Sequence, residues 1–386
     1  MPDPRNDRNG RAPLIRLAGV SQTFQTKRGE VPAVRDVNFE VNPGEVLCLV
    51  GESGCGKTTS ARMAAGLNKP TAGTVEFNGT DIWSMDRDAF TRFRRSVQYV
   101  HQDPYASLNP IRSIGRTLTA PLLKHRIAKN SAQAHQLAGE LLERVDLRPA
   151  DAYLSKFPHQ LSGGQRQRVA VARALTLDPK LIIADESTSM LDVSIRVGML
   201  NMLGRLRDEL DVGFLFITHD LAIAKYFGWS GRIAVMYLGR IVEFGRTPDV
   251  INNPQHPYTR ALLNAVPEPD PELTKSKLPG GGLRSAEIPS LRDLPSGCTF
   301  HPRCPLFEEG TCEVTEPQLV TIDLDRPHPD PTTAVTRGAT SITPVARDTH
   351  APRSDPRPGG ERGVVPPSGH EIACHVVARD RVVDHA

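Results

Sequence analysis

The sequence predicts an α/β fold built on a buried parallel sheet, with a smaller cysteine-bearing region at its C-terminal end. Three observations carry this reading. A short apolar run, Val46-Leu47-Cys48-Leu49-Val50, ends in the loop Gly51-Glu52-Ser53-Gly54-Cys55-Gly56-Lys57-Thr58, and the spacing Ala61, Met63, Ala64, Leu67 beyond it fits a helix. A second glycine run, Leu161-Ser162-Gly163-Gly164-Gln165, opens another helix. A further apolar run, Leu181-Ile182-Ile183-Ala184, ends in Asp185-Glu186. Two loops of the phosphate-binding kind and an acidic strand end, in this order, make nucleotide hydrolysis the leading expectation.

The remaining elements follow from periodicity. Leu14-Ile15-Arg16-Leu17 and Val37-Asn38-Phe39-Glu40-Val41 alternate and read as strands. Residues 105–160 read as mostly helical, with Gln133 to Val145 the clearest stretch, and Val193 to Leu210 is helical again. Phe214-Leu215-Phe216-Ile217 reads as a buried strand, and Ile233 to Phe244 as two short strands turning at Gly239. Pro267, Pro269 and Pro271 mark a boundary near 270. The stretch from about 324 to 368 is rich in Pro, Arg, Asp and Thr, the chain has no aromatic residue after Phe307, and a flexible insertion is expected there. The expected organisation is a polar tail over 1–12, a nucleotide-binding domain over 13–268 and a C-terminal region over 269–386.

Bulk properties narrow the function. At 386 residues, 39% hydrophobic and 24% charged, the chain reads as globular and soluble. A net charge of +3 is too small for this length to argue for nucleic acid. No run approaches the roughly 18 apolar residues of a membrane span. Met1 to Ala12 lacks an apolar signal core, so a cytoplasmic location is expected, with any membrane role reached through a partner.

The loop at 51–58 needs its glycines because backbone N–H groups must turn toward phosphate oxygens at close range. Lys57 supplies a mobile point charge for the β- and γ-phosphates, and the Thr58 hydroxyl is a natural Mg²⁺ ligand, with Thr59 beside it. In such a fold Asp185 holds the metal through water and Glu186 polarises the attacking water.

Leu161-Ser162-Gly163-Gly164-Gln165 followed by Arg166-Gln167-Arg168 resembles the signature of the ATP-binding-cassette ATPases, over roughly Leu14 to Ala265. The resemblance implies a RecA-like core, an antiparallel β-subdomain and a helical subdomain. It implies ATP and Mg²⁺ as cofactors, with a site completed in trans: Ser162, Gly163, Gly164 and Gln165 of one subunit close on the ATP of its partner. It also implies that Phe24 stacks on adenine. Gln102 would sense Mg²⁺ and face the membrane partner, with Gln98 a nearby competitor. Asp192 would cross the dimer interface and His219 would hold the γ-phosphate.

A narrower resemblance points to the ATPases of oligopeptide and dipeptide importers. It rests on Asp103-Pro104-Tyr105-Ala106-Ser107-Leu108-Asn109-Pro110, on Asn253-Pro254-Gln255-His256-Pro257-Tyr258-Thr259-Arg260, and on Gly297-Cys298-Thr299-Phe300-His301-Pro302-Arg303-Cys304-Pro305. Relatives import peptides, nickel complexes or oligosaccharides. The implied partners are a second cassette subunit (a paralogue in most such importers), two membrane permeases and, indirectly, an extracytoplasmic binding protein, with the chain on the cytoplasmic face of the membrane. A soluble cassette acting on ribosomes or DNA fits less well, because the chain has one signature and no long heptad stretch.

Four of six cysteines, Cys298, Cys304, Cys312 and Cys374, fall in the last quarter, which in a reducing compartment reads as a metal site. Four thiolates suit a four-iron, four-sulfur cluster or tetrahedral zinc, and the spacing Cys-x5-Cys-x7-Cys does not choose between them. The importer resemblance implies the cluster, with zinc or unligated thiols as alternatives.

Overall fold

The computed structural model describes residues 12–189, 191–266, 282–324, 369–379 and 381–382. The expected tail up to residue 11, the boundary near 270 and the expected insertion from 325 to 368 lie outside these residues. Elements are numbered along the chain.

The first two strands are longer than their patterns suggest. β1 (Ile15–Thr26) and β2 (Gly29–Val41) form one antiparallel hairpin. Register shifts between Leu17 and Val20, Val20 and Gln22, and Gln22 and Thr23 break the inside–outside alternation, which hides the middle of the hairpin from a period-two reading. With β4 (Ala72–Phe77) and β5 (Thr80–Asp81) it makes a four-stranded antiparallel sheet in the order β2-β1-β4-β5.

The second sheet begins with β3 (Val46–Val50), whose five residues are all buried, as a strand covered on both faces requires. Around it lie β6 (Val97–Val100), β7 (Leu181–Asp185), β8 (Gly213–Thr218), β9 (Arg232–Tyr237) and β10 (Arg240–Arg246). β9, β3, β8, β7 and β6 run parallel in that order. Helices α1 (Lys57–Ala64), α7 (Gly163–Leu175), α8 (Val193–Leu210) and α9 (Leu221–Gly228) follow strands or loops of this core.

Between β6 and α7 the chain is helical, as expected. α4 (Ile114–Lys124) buries Ile114, Leu118 and Leu122 at four-residue spacing, and α5 (Ser131–Arg144) meets it with Ala134, Ala138, Leu141 and Leu142. The three parts implied by the resemblance, a mainly parallel core, an antiparallel sheet and a helical unit, are therefore all present. Among the described residues no helix is long and apolar enough to cross a membrane.

The C-terminal region extends the core sheet. β11 (Val320–Ile322) and β12 (His370–Ile372) continue it past β10, giving the order β11-β12-β10-β9-β3-β8-β7-β6. The seam is polar. Fully buried Glu243 on β10 accepts the Gln255 and His256 backbone N–H groups at 2.7 and 3.0 Å and pairs with His370 Nε2 at 2.6 Å. On the other flank Glu316 takes Arg35 at 3.0 Å and Arg240 at 2.5 Å.

Candidate nucleotide site

The loop at 51–58 joins β3 to α1. Gly56 caps the helix at φ 107°, a left-handed backbone that a side chain would strain. A Cβ on Gly51 would fall inside the Met236 carbonyl oxygen, so glycine there answers a close approach from β9. The Lys57 side chain is buried, and its ammonium donates to the Gly51 and Glu52 carbonyls, each at 2.8 Å, with Cys55 Sγ at 3.8 Å. Ser53 and Gly54 are exposed on the loop, Cys55 is buried, and Thr59 is half-buried in the first turn of α1.

The parallel strands deliver the remaining groups at their C-terminal ends, where ligands bind in open α/β sheets. Asp185 ends β7. Its Oδ1 accepts from Thr58 Oγ1 at 3.0 Å and its Oδ2 from Tyr99 O–H at 2.6 Å. Burial raises the Asp185 carboxyl above its ordinary range, the two hydrogen bonds pull it down, and the neighbouring Glu186 charge pushes it up again. A carboxylate and a hydroxyl are hard oxygen donors that suit Mg²⁺, and a cation there would relieve this buried charge.

Glu186 stands one residue beyond, at φ 42°, a left-handed backbone costly for a non-glycine residue. That conformation turns its carboxylate into a cluster. Oε2 accepts from Gln102 Nε2 at 2.9 Å, Oε1 lies 3.6 Å from His219 Nδ1, and Lys57 Nζ is 4.0 Å away. Glu186, Gln102, His219, Lys57, Thr58 and Asp185, spread over more than 160 residues of sequence, thus meet at one point. Gln98 is used elsewhere: its Nε2 donates to the Arg94 carbonyl at 2.6 Å at the end of α2 (Arg87–Ser96). Phe24 lies on β1 and is 39% exposed, open to stacking. Tyr99 carried no sequence signal, since its role comes from the pairing of β6 with β7.

The second glycine loop is built differently. Ser162 caps α7 in a reciprocal box: its Oγ accepts the Gln165 N–H at 3.3 Å, and Gln165 Oε1 accepts the Ser162 N–H at 3.0 Å. The Gln165 side chain is therefore committed to the cap. A Cβ on Gly164 would meet Ile195 Cγ2 at 2.7 Å, whereas one on Gly163 would meet nothing within 4 Å. Among the described residues no hydrogen bond or ion pair joins 162–165 to the 51–59 loop. Asp192 caps α8 from an exposed position without a side-chain hydrogen bond.

The four late cysteines are all free. Strand β12 brings Cys374 back to the segment carrying the other three, and the Cys298 N–H donates to the Cys312 carbonyl at 2.7 Å. Burial pushes the Cys298 thiol up to about 12, with hydrogen bonding from Phe300 opposing and the charges of Cys374 and Cys312 adding to it. Burial likewise raises Cys304 and Cys374. Yet among the described residues no group of three or more His, Cys, Asp or Glu is arranged to hold a metal ion. The thiols are gathered, but neither the expected cluster nor zinc finds a ready-made cage.

Comparison with known proteins bears on all of this. Residues 34–189 match the family model described as ABC transporter, and residues 242–312 match that of the oligopeptide/dipeptide transporter C-terminal region. The chain is 46% identical over 297 residues to a probable peptide ABC transporter ATP-binding protein, y4tS, of Sinorhizobium fredii, covering 77% of this chain and 81% of that protein. It is 41% identical over 319 residues to the oligopeptide transport ATP-binding protein OppF of Escherichia coli, covering 80% and 93%. It is similar to a dimeric structure of the ATP-binding cassette MJ0796 in a post-hydrolysis state with ADP and Pi, at 31% identity and a TM-score of 0.55, over 60% of this chain and 98% of that one.

Proposed function

The chain belongs to the ATP-binding proteins of the ABC transporter family, and from that premise we propose that it hydrolyses ATP to power import of oligopeptides or dipeptides through separate permease subunits. The observation that carries the ATPase reading is the convergence of Lys57, Thr58, Asp185, Glu186, Gln102 and His219 on one point. The peptide cargo rests on the names of the relatives and on the C-terminal match.

Each residue has a task that its geometry suits. Lys57, released from the Gly51 and Glu52 carbonyls, neutralises phosphate charge. Thr58 and Asp185 would hold Mg²⁺, which when bound offsets the charge developing on the phosphates. Glu186 accepts a proton from the attacking water, oriented by the Gln102 amide and by His219. Phe24 takes the base and the N–H groups of Ser53 to Thr59 the phosphates. Ser162, Gly163 and Gly164 act on the nucleotide of the opposite subunit. Supporting this is Gly163: a glycine in a conformation that alanine can adopt costs about 0.4–1 kcal/mol, chiefly through unfolded-chain entropy, and among the described residues nothing would meet a Cβ there. Asp192 lies on the same dimer face, while Gln165 serves through its cap.

The complete machine in this reading pairs the chain with a second, paralogous cassette and two permeases at the cytoplasmic face, fed by an extracytoplasmic binding protein. Residues 13–268 form the cassette and 269–386 the C-terminal region. The four cysteines would hold a four-iron, four-sulfur cluster, whose four separate corners ask for thiolates further apart than those around one zinc ion. Anaerobically purified protein should then be brown with about four irons per chain; colourless protein with one zinc overturns the cluster.

The main test is Glu186→Gln. The amide keeps size and hydrogen bonding but takes no proton, so turnover should fall roughly 10²–10⁴-fold while ATP binding survives and ATP-loaded dimers accumulate. Turnover at the wild-type rate would remove Glu186 as the base. Copurification with two membrane subunits and a second cassette, read by mass spectrometry, tests the importer assignment.

A further inference from the structure

One residue of the phosphate loop is tied to three places at once. The Glu52 carbonyl accepts from Lys57 Nζ at 2.8 Å, and its N–H donates to the Tyr258 hydroxyl at 2.9 Å. Its carboxylate takes both arms of the Arg303 guanidinium, at 2.9 and 3.2 Å. Arg303 is 4% exposed and sits in the turn between Cys298 and Cys304, where its N–H donates to the Phe300 carbonyl at 3.0 Å. Phe300 packs on Tyr258 and Tyr237, with ring centroids 5.5 and 5.2 Å apart. On its outer side, Glu52 to Cys55 share a cavity with Ile288 to Arg292 of the same C-terminal region.

Rotating the Glu52 peptide would shift the oxygen that holds the Lys57 ammonium. A forked, parallel pair of hydrogen bonds from a buried arginine resists such rotation far better than a point charge on a flexible stem. The neighbouring Tyr237 offers Arg303 an uncharged hydroxyl, a weaker acceptor than the carboxylate, so breaking the pair leaves a buried charge without its counter-ion.

We propose that Arg303 is a positioning residue for ATP, setting the geometry of the phosphate loop through Glu52 so that the cysteine-bearing turn governs nucleotide affinity. This rests on the reading of 51–58 as the ATP loop. It assigns the C-terminal region a share in the ATPase site that no motif in the cassette supplies. The effect falls on affinity more than on the chemical step, because Arg303 touches the loop and not Glu186 or His219.

The test is equilibrium binding of a fluorescent ATP analogue, with KM and kcat, on the full chain carrying Arg303→Met, Arg303→Lys, Glu52→Gln or the Met and Gln changes together. Arg303→Met should weaken binding about 10-fold and raise KM alike, with kcat held within about 2-fold. Arg303→Lys should recover part of the loss, since it keeps the charge and loses the fork. In the Glu52→Gln background Arg303→Met should add less than about 2-fold, because the two changes break one interaction. Unchanged affinity in Arg303→Met overturns the proposal, and so does an equal loss in both backgrounds, which would mark a purely structural role of the turn. Lys57→Ala separates the two levels of argument: ATP binding retained there sinks the loop reading itself, whereas binding lost there and kept in Arg303→Met sinks only the role of Arg303.

Discussion

The two glycine-rich loops look alike in sequence and are held in opposite ways. The 51–58 loop is saturated by its own chain: Lys57 is tied to its carbonyls, Thr58 to Asp185, Glu52 to Tyr258 and Arg303, and Gly51 is pressed against β9. The 162–165 loop is closed by its own capping box, Gly164 is packed against Ile195, and among the described residues nothing would meet a Cβ on Gly163. A glycine that packing demands serves the fold, whereas one that packing does not demand leaves a surface open to close approach from outside the chain. On the proposed function the first loop holds the ligand and the second meets the partner cassette, and the contrast in packing is what that division of labour would require.

The contrast is sharpest for Ser162→Arg. Bulk and charge at the open loop should leave ATP binding to the same chain's 51–58 loop intact and lower hydrolysis at the opposite site on the order of 10²–10³-fold. Site-resolved turnover in mixed dimers measures it, and a loss confined to the variant's own nucleotide breaks the trans arrangement.

Paired alanine substitutions come next. Gly51→Ala forces the Met236 backbone to move and should cost about 1–3 kcal/mol of stability together with ATP binding. Gly163→Ala should do the reverse: about 0.5–1 kcal/mol of added stability by denaturant unfolding, unchanged ATP binding and reduced turnover in the assembled dimer. Full turnover in Gly163→Ala would show that the open face meets no partner.

Asp185→Asn gives the smallest shift and tests the electrostatics of the first loop. Because its carboxyl is raised in the folded chain, the stability it contributes is present below the unfolded pKa and lost as pH rises through the folded value. At pH 7 the ionised group is therefore a cost, and the amide should raise the Tm of the nucleotide-free chain by about 2 °C while turnover with Mg²⁺ is lost. The gain should shrink as pH falls and the wild-type carboxyl takes up its proton. A gain that does not change with pH would assign it to packing instead.

Much of this was legible in one dimension. The runs at 46–50, 181–184 and 214–217 are uniformly apolar and end against glycine, acid or threonine, so their burial, and the exit of a loop from each, follows from composition. Helix α8 spans the residues its periodicity marks. Spacing singles out Lys57, Thr58, Asp185 and Glu186, and the fold brings them within reach of one another. What tertiary structure alone decided is every pairing between strands remote in sequence. Tyr99 reaches Asp185 only because β6 lies beside β7, and Gln102 rather than Gln98 meets Glu186 because Gln98 is spent capping α2. Gln165 is taken by the cap, a use that its place in the motif does not reveal. Cys374 returns to the other cysteines, and Arg303 reaches Glu52, through a C-terminal region bonded to the edge of the core sheet. Sequence period encodes which face of an element is buried. It carries no record of which distant element covers that face, since that depends on sheet order and on the pairing of buried polar groups such as Glu243 with His370.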